Sequence, residues 1–177
     1  MQDAELSQGS SFSTALPITV YIRPRVNPAV DWQEFDRGPG YFNIPAGHEV
    51  GVRIHNIDDS LLKDLVNDLK DCPAMVYLNL SENRKVSNSG LQYLKLLPQL
   101  TFLNLSSCDL TNDGIAHLVD LKRLESLNLS YCNRLTDPAL KYIKSLPRLT
   151  YLDVQGCVKM TNGGLARIGQ AKLTIHK

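Results

Sequence analysis

Cys108, Cys132 and Cys157 recur at steps of 24 and 25 residues, and a thiol is both a nucleophile and a soft metal ligand. Catalysis by one of them requires a histidine within hydrogen-bond reach, with both side chains open to substrate. His48, His55, His117 and His176 are scattered, and none recurs with a matching nucleophile. His117 follows Cys108 by nine residues, but the surrounding pattern puts the histidine on a helix and the cysteine toward the core. Zinc needs four converging ligands, and no CxxC or HxxxH pair is present. A GxGxxG, a P-loop and an HExxH are also missing. The sequence therefore predicts no catalytic residue, no metal and no cofactor, and a chain that is not an enzyme. Disulfide frameworks seldom fall on a repeat register, so the cysteines read as reduced, buried small hydrophobes. Cys72 alone stands outside the register.

The unit that positions these cysteines is written four times, as VYLNLSEN, TFLNLSSC, ESLNLSYC and TYLDVQGC, at intervals of 25, 24 and 25 residues. Leu78/Leu80, Leu103/Leu105, Leu127/Leu129 and Leu152/Val154 alternate with other residues, as in a strand with its apolar side inward. A turn follows in which Asn83, and then the cysteines, face inward; Asn83 is expected to bond the loop backbone. Next come VSNSG, LTNDG, LTDPA and MTNGG. They bring Ser87, Thr111, Thr136 and Thr161 to where an N-cap oxygen can accept from a free backbone N–H. Leu91/Leu94/Leu97, Ile115/Leu118/Leu121 and Leu140/Ile143/Leu146 then form the apolar stripe of a helix. Pro73, Pro98 and Pro147 end that helix before the next strand. Strand, turn, helix and return at a period in the twenties predict a stacked solenoid, in which each unit buries its apolar face against its neighbours.

LTFLNLSSCDL at 100–110 and LESLNLSYCNRL at 124–135, the second one residue longer, follow the pattern LxxLxLxx(N/C)xL. In pattern and period the chain resembles leucine-rich repeats, and in its cysteines the subfamily found in F-box substrate adaptors and many bacterial proteins. The resemblance covers about residues 48–177. It implies an α/β fold, a right-handed solenoid of strand–turn–helix units with a parallel sheet on the concave side. It also implies a protein or peptide partner bound on that concave face. By likeness to the adaptors, the alternative function is the substrate-recognition arm of a ubiquitin ligase, should the chain be a fragment of a larger protein. Residues 1–50 read as strands and prolines, not as the helices of an F-box.

The ends depart from the repeat, as terminal units facing water do. Val52, Ile54 and Ile57, followed by DSLLKDLVNDLKDC at 59–72, make a degenerate first repeat, and Leu173 and Ile175 begin a strand stub. Residues 48–177 are thus expected to hold five repeats plus that stub. Ile18, Val20 and Ile22 alternate with Thr19, Tyr21 and Arg23 between Pro17 and Pro24, and Tyr41, Phe42 and Ile44 form a second short apolar stretch. These predict a β-type cap over 17–47, with Trp32, Phe35 and Phe42 covering the open end of the core; the alternative is an independent ligand pocket around Trp32. Residues 1–16 read as a disordered polar tail.

A net charge of +1 gives no global attraction to nucleic acid or anionic membrane, and no stretch approaches the ~20 apolar residues of a membrane span. The opening residues are acidic where a signal peptide is positive. A cytoplasmic chain follows, with no nucleic-acid or membrane partner. Lys172, His176 and Lys177 discourage pairing at the last strand edge, so a monomer is expected.

The candidate binding residues are those that point away from the core. One column reads Gly51, Tyr77, Phe102, Ser126 and Tyr151, the next Arg53, Asn79, Asn104, Asn128 and Asp153, and Tyr131 lies beside a third, His55, Ser81, Ser106, Ser130 and Gln155. Tyr77, Phe102 and Tyr151 would be large rings on an exposed sheet, the type of side chain that anchors interfaces, or would pack on one another along the twisted sheet. The amides would hydrogen-bond one another along the ladder. Six strands about 4.8 Å apart make a face about 25 Å wide. That supplies about half of the roughly 800 Å² a folded partner needs, so a peptide is the better-sized guest.

Overall fold

The computed structural model describes residues 9–169 and 171–177. The strand expected from each repeated sentence forms, at Met75–Asn79 (β6), Phe102–Asn104 (β7), Ser126–Asn128 (β8) and Tyr151–Asp153 (β9). They pair in parallel, in sequence order, with Leu78, Leu103, Leu127 and Leu152 in one buried row. Strand β5 (His48–Ile54) precedes them and β10 (Thr174–His176) follows, both parallel to their neighbours. Upstream lie β1 (Ser10–Thr14), β2 (Ile18–Pro24), β3 (Gln33–Arg37) and β4 (Gly40–Ile44). β2 adds antiparallel to β5, and β3 to β2, so one sheet of eight strands runs β10-β9-β8-β7-β6-β5-β2-β3.

The remaining pair, β1 with β4, corrects the expected polar tail over 1–16. Residues 10–14 form a strand in full antiparallel register with β4, and Phe12 and Phe42 stack at 4.9 Å between ring centroids. Phe12 and Thr14 are buried while Ser11 and Ser13 face out, a period-2 pattern that one aromatic among serines and threonines leaves faint in sequence. The first eight positions of that tail lie outside the described residues.

Behind the sheet, α1 (Asp59–Leu69) buries Leu62, Leu65, Val66 and Leu69, the one-sided spacing of an α-helix. Asp58 caps it, its carboxylate accepting from the N–H groups of Ser60 and Leu61, both at 3.0 Å. Later units are tighter. They hold a 3-10 segment at Gly90–Leu96, then α2 (Asn112–Ala116), α3 (Leu140–Ile143) and α4 (Asn162–Ala166), with 3-10 turns at His117–Asp120 and Asp137–Ala139. The apolar residues there recur every third position, which matches the three residues per turn of a 3-10 helix better than 3.6.

The serines and threonines expected as N-caps mostly do something else. Only the Thr161 hydroxyl caps its own helix, accepting from Gly164 N at 2.9 Å. Along the stack, each of the four is gripped by an Asp or Asn of the preceding unit, which accepts from its backbone N–H and also bonds its hydroxyl. The pairs are Asp59 with Ser87, Asn88 with Thr111, Asn112 with Thr136 and Asp137 with Thr161. A Cβ on Gly114 would stand 2.6 Å from Asn88 Oδ1, so glycine is needed where the clamp passes. These rungs join successive units by polar bonds on the side away from the sheet, and the core joins them by apolar contact.

Candidate functional site

The turn column is settled by what its atoms bond. Asn83 donates through Nδ2 to the carbonyls of Ile54 and Leu80 and accepts through Oδ1 from Ile57 N at 3.0 Å. Cys108, Cys132 and Cys157 take the equivalent slot, each Sγ–H donating to a carbonyl of the preceding unit, those of Leu80, Leu105 and Leu129, at 3.1–3.2 Å. Burial raises the Cys108 thiol to about 11 and the Cys132 thiol to about 12. A thiol held protonated in the core is neither nucleophile nor ligand at neutral pH. His117 is exposed on the helical side, and no group of three or more His, Cys, Asp or Glu among the described residues could hold a metal ion.

The outward face of the sheet has the columns in register: Gly51, Tyr77, Phe102, Ser126 and Tyr151, and beside them Arg53, Asn79, Asn104, Asn128 and Asp153. Its two ends differ. At the β5–β7 end, Trp32 lies on Tyr77 and Phe102, with ring centroids 5.3 and 6.4 Å away. Tyr77 and Phe102 meet edge to face. The Arg23 guanidinium sits 4.6 Å from the Trp32 ring and 4.7 Å from that of Phe102, and it pairs with Glu49 at 2.7 Å, both side chains being largely buried. The Tyr77 hydroxyl, its pKa raised by burial, accepts from Asn79 Nδ2 at 3.0 Å. Gly51 is the floor of this cluster: a Cβ there would lie 2.7 Å from the Tyr77 ring and 3.3 Å from Trp32.

This placement corrects the reading of Trp32, Phe35 and Phe42 as one cover for the core. Phe42 is in the core, Phe35 is 38% exposed, and Trp32 has crossed to the outward face. The loop after β2 carries it there, a relation between residues far apart in sequence that spacing does not reveal.

The amide column is also corrected. The side chains bond their own chain, not one another: Asn79, Asn104, Asn128 and Asp153 accept through Oδ1 from the N–H two residues on, at 2.8–3.0 Å. These are Asx turns, and they bend the chain out of each strand. The Nδ2 donors of Asn104 and Asn128 form no hydrogen bond among the described residues. Tyr151 is half-buried against His176, 5.3 Å between ring centroids, and at the far end Arg53 keeps a buried Nε without a partner among the described residues.

Tyr131 stands apart from these columns, at the rim. Its φ is +60°, in a recurring left-handed position shared by Asn56, Glu82, Ser107 and Gly156, which costs a side-chain-bearing residue energy. It is 59% exposed.

Residues 98–119 and 123–144 match a family described as Leucine Rich repeat. The chain carries leucine-rich repeats. Its fold is similar to that of an internalin (inlF) from Listeria monocytogenes str. 4b F2365, with 26% identity and a TM-score of 0.50 over 64% of this chain and 31% of that one. The yeast Rad7–Elc1 complex aligns with 22% identity and a TM-score of 0.48, over 67% of this chain and 37% of that one. This leucine-rich-repeat chain therefore spans about a third of the internalin's length. No curated protein matches its sequence significantly. The fold supports protein–protein interaction, and no helix among the described residues is long and apolar enough to cross a membrane.

Proposed function

We propose that this leucine-rich-repeat chain is a non-catalytic interaction module that holds an extended segment of a partner protein across the outward, concave face of its sheet, at the β7–β9 end. The observation that carries this reading is the fixed and half-used amide row. An Asx turn locks the Oδ1 of Asn104 and of Asn128 while each Nδ2 is left to donate, with the Asp153 carboxylate and the Tyr151 ring alongside. Donors already ordered cost little entropy when a guest accepts from them. They lie one strand apart, about 4.8 Å, a spacing that a peptide crossing the strands can meet. Arg53 heads the same row at the β5 end, outside this groove, with its Nε buried, while Tyr77, Phe102 and Asn79 shape the wall beside the groove and Tyr131 flanks its rim.

Asp153 makes the same turn as the asparagines, so replacing Asn104 and Asn128 together by Asp keeps the fold and removes both free donors. Peptides selected on the wild-type protein from a random display library should lose most of their binding to Asn104→Asp/Asn128→Asp and to Tyr151→Ala. Peptides that bind all three proteins equally would place the groove elsewhere.

A further inference from the structure

The near-zero net charge conceals a division along the solenoid. Residues 1–121 hold nine Lys and Arg against fifteen Asp and Glu, a balance of −6, and residues 122–177 hold ten against three, a balance of +7. Seven of these ten cations lie off the sheet, in the returns and helices of the last repeats. Lys122, Arg123, Arg148 and Lys172 occupy the returns that lead into β8, β9 and β10, and Lys141, Lys144 and Arg167 lie on or just after α3 and α4. All seven are exposed.

Two acids lie among these cations: Glu125, and Asp137, whose carboxyl is held below its ordinary pKa by hydrogen bonds from Thr161 and then by the nearby charges of Arg167 and Lys177. The Asp137 carboxylate is committed to the backbone N–H and the hydroxyl of Thr161, each at 2.7 Å, and Glu125 is half-buried. Two clefts open among the cations. One, of about 660 Å³, runs between successive returns and is lined by Arg148 and Lys172 as well as Glu125. The other, of about 230 Å³, lies between the helices and is lined by Lys141, Lys144 and Arg167, with Asp137 beside them, over the buried Leu140 and Ile168. Lys144 Nζ donates to the Arg167 carbonyl at 3.2 Å, and Lys141 Nζ rests 4.5 Å from the centroid of the Tyr142 ring.

We infer that the helical side of the last two repeats is a second docking face, separate from the concave one, and that it takes an acidic polypeptide segment. Like charge gathered over clefts raises the local concentration of an opposite partner and aligns it. Clefts with apolar floors suit carboxylate side chains on short stems. A single-stranded nucleic acid would call for aromatic faces on which bases stack. The ring on this side, Tyr142, is half-buried with Lys141 over it.

The test is fluorescence anisotropy of a fluorescein-labelled decaglutamate peptide. The proteins compared are the wild type, Lys141→Glu/Arg148→Glu/Lys172→Glu, and a control with the same charge change elsewhere, Lys63→Glu/Lys85→Glu/Lys95→Glu. Thermal melts verify that each is folded, and the corresponding Gln triple at 141, 148 and 172 serves if the Glu triple does not fold. Affinity should fall as salt rises from about 50 to about 150 mM. It should drop about tenfold in the first triple, the loss expected for three exposed charge pairs, and less than about threefold in the control. No binding by wild type, equal losses in both triples, or tighter binding of a single-stranded DNA 20-mer of mixed sequence would each overturn the inference. Tyr151→Ala, the concave-face variant that changes no charge, should leave this readout unchanged, so the two surfaces are tested separately.

Discussion

The two ends of the sheet's outward face start from the same repeated sentence and finish in opposite states. At the β5–β7 end, Tyr77 and Phe102 are covered by Trp32 and braced by Arg23. At the β7–β9 end, no element of the described chain brings such a cover, and the amides of Asn104 and Asn128 keep free donors. A repeat position therefore has no fixed role: Tyr77 and Tyr151 are equivalent in register, yet one is a wall and the other is proposed as a contact. The difference comes from the N-terminal strands, which extend the sheet and carry the loop that holds Trp32.

The two ends differ most at Arg23. Its removal leaves the carboxylate of Glu49 in a largely buried site without its partner and takes the cation from beside two rings. Arg23→Ala should cost about 3–5 kcal/mol in urea unfolding, whereas Tyr151→Ala at the other end should cost far less. Trp32→Ala comes next. It removes a half-buried ring from the Tyr77/Phe102 cluster and should cost about 2 kcal/mol, with no loss of peptide binding at the β7–β9 end. The smallest effect expected is at Asn128. Asn128→Ala leaves Ser130 N without its acceptor and should cost about 1 kcal/mol, and Asn128→Asp should recover that stability while still lacking the free donor. Equal costs for Ala and Asp would show that the Asx turn is not what the side chain contributes.

Much of the fold is legible in the sequence because leucine spacing at period 2, and again at period 3, reports burial directly, and the recurrence of the pattern reports stacking. The cysteine slot is legible for the same reason. Contacts between units are not. Thr111 and Thr136 look like helix caps, but each is held by an asparagine 23 or 24 residues earlier, a partner that local patterns do not specify. The asparagine column could equally have bonded sideways or along its own chain, since the residue type suits both. Trp32 reads as a core residue because it is apolar, and only the path of the loop reveals which face it joins. The charge division is present in the sequence, but it emerges at residue 121, inside the repeats, and a split at the boundary between cap and repeats averages it away.

Trp32 is the single tryptophan of the chain, so its fluorescence reports directly on whether the β5–β7 end is closed. Acrylamide quenching of the native protein should be several-fold weaker than that of the urea-unfolded chain, the emission should be blue-shifted, and Phe102→Ala should increase quenching while Tyr151→Ala leaves it unchanged. Quenching of the native protein as strong as that of the unfolded chain would contradict the account, because the two ends of the face would then be equally open.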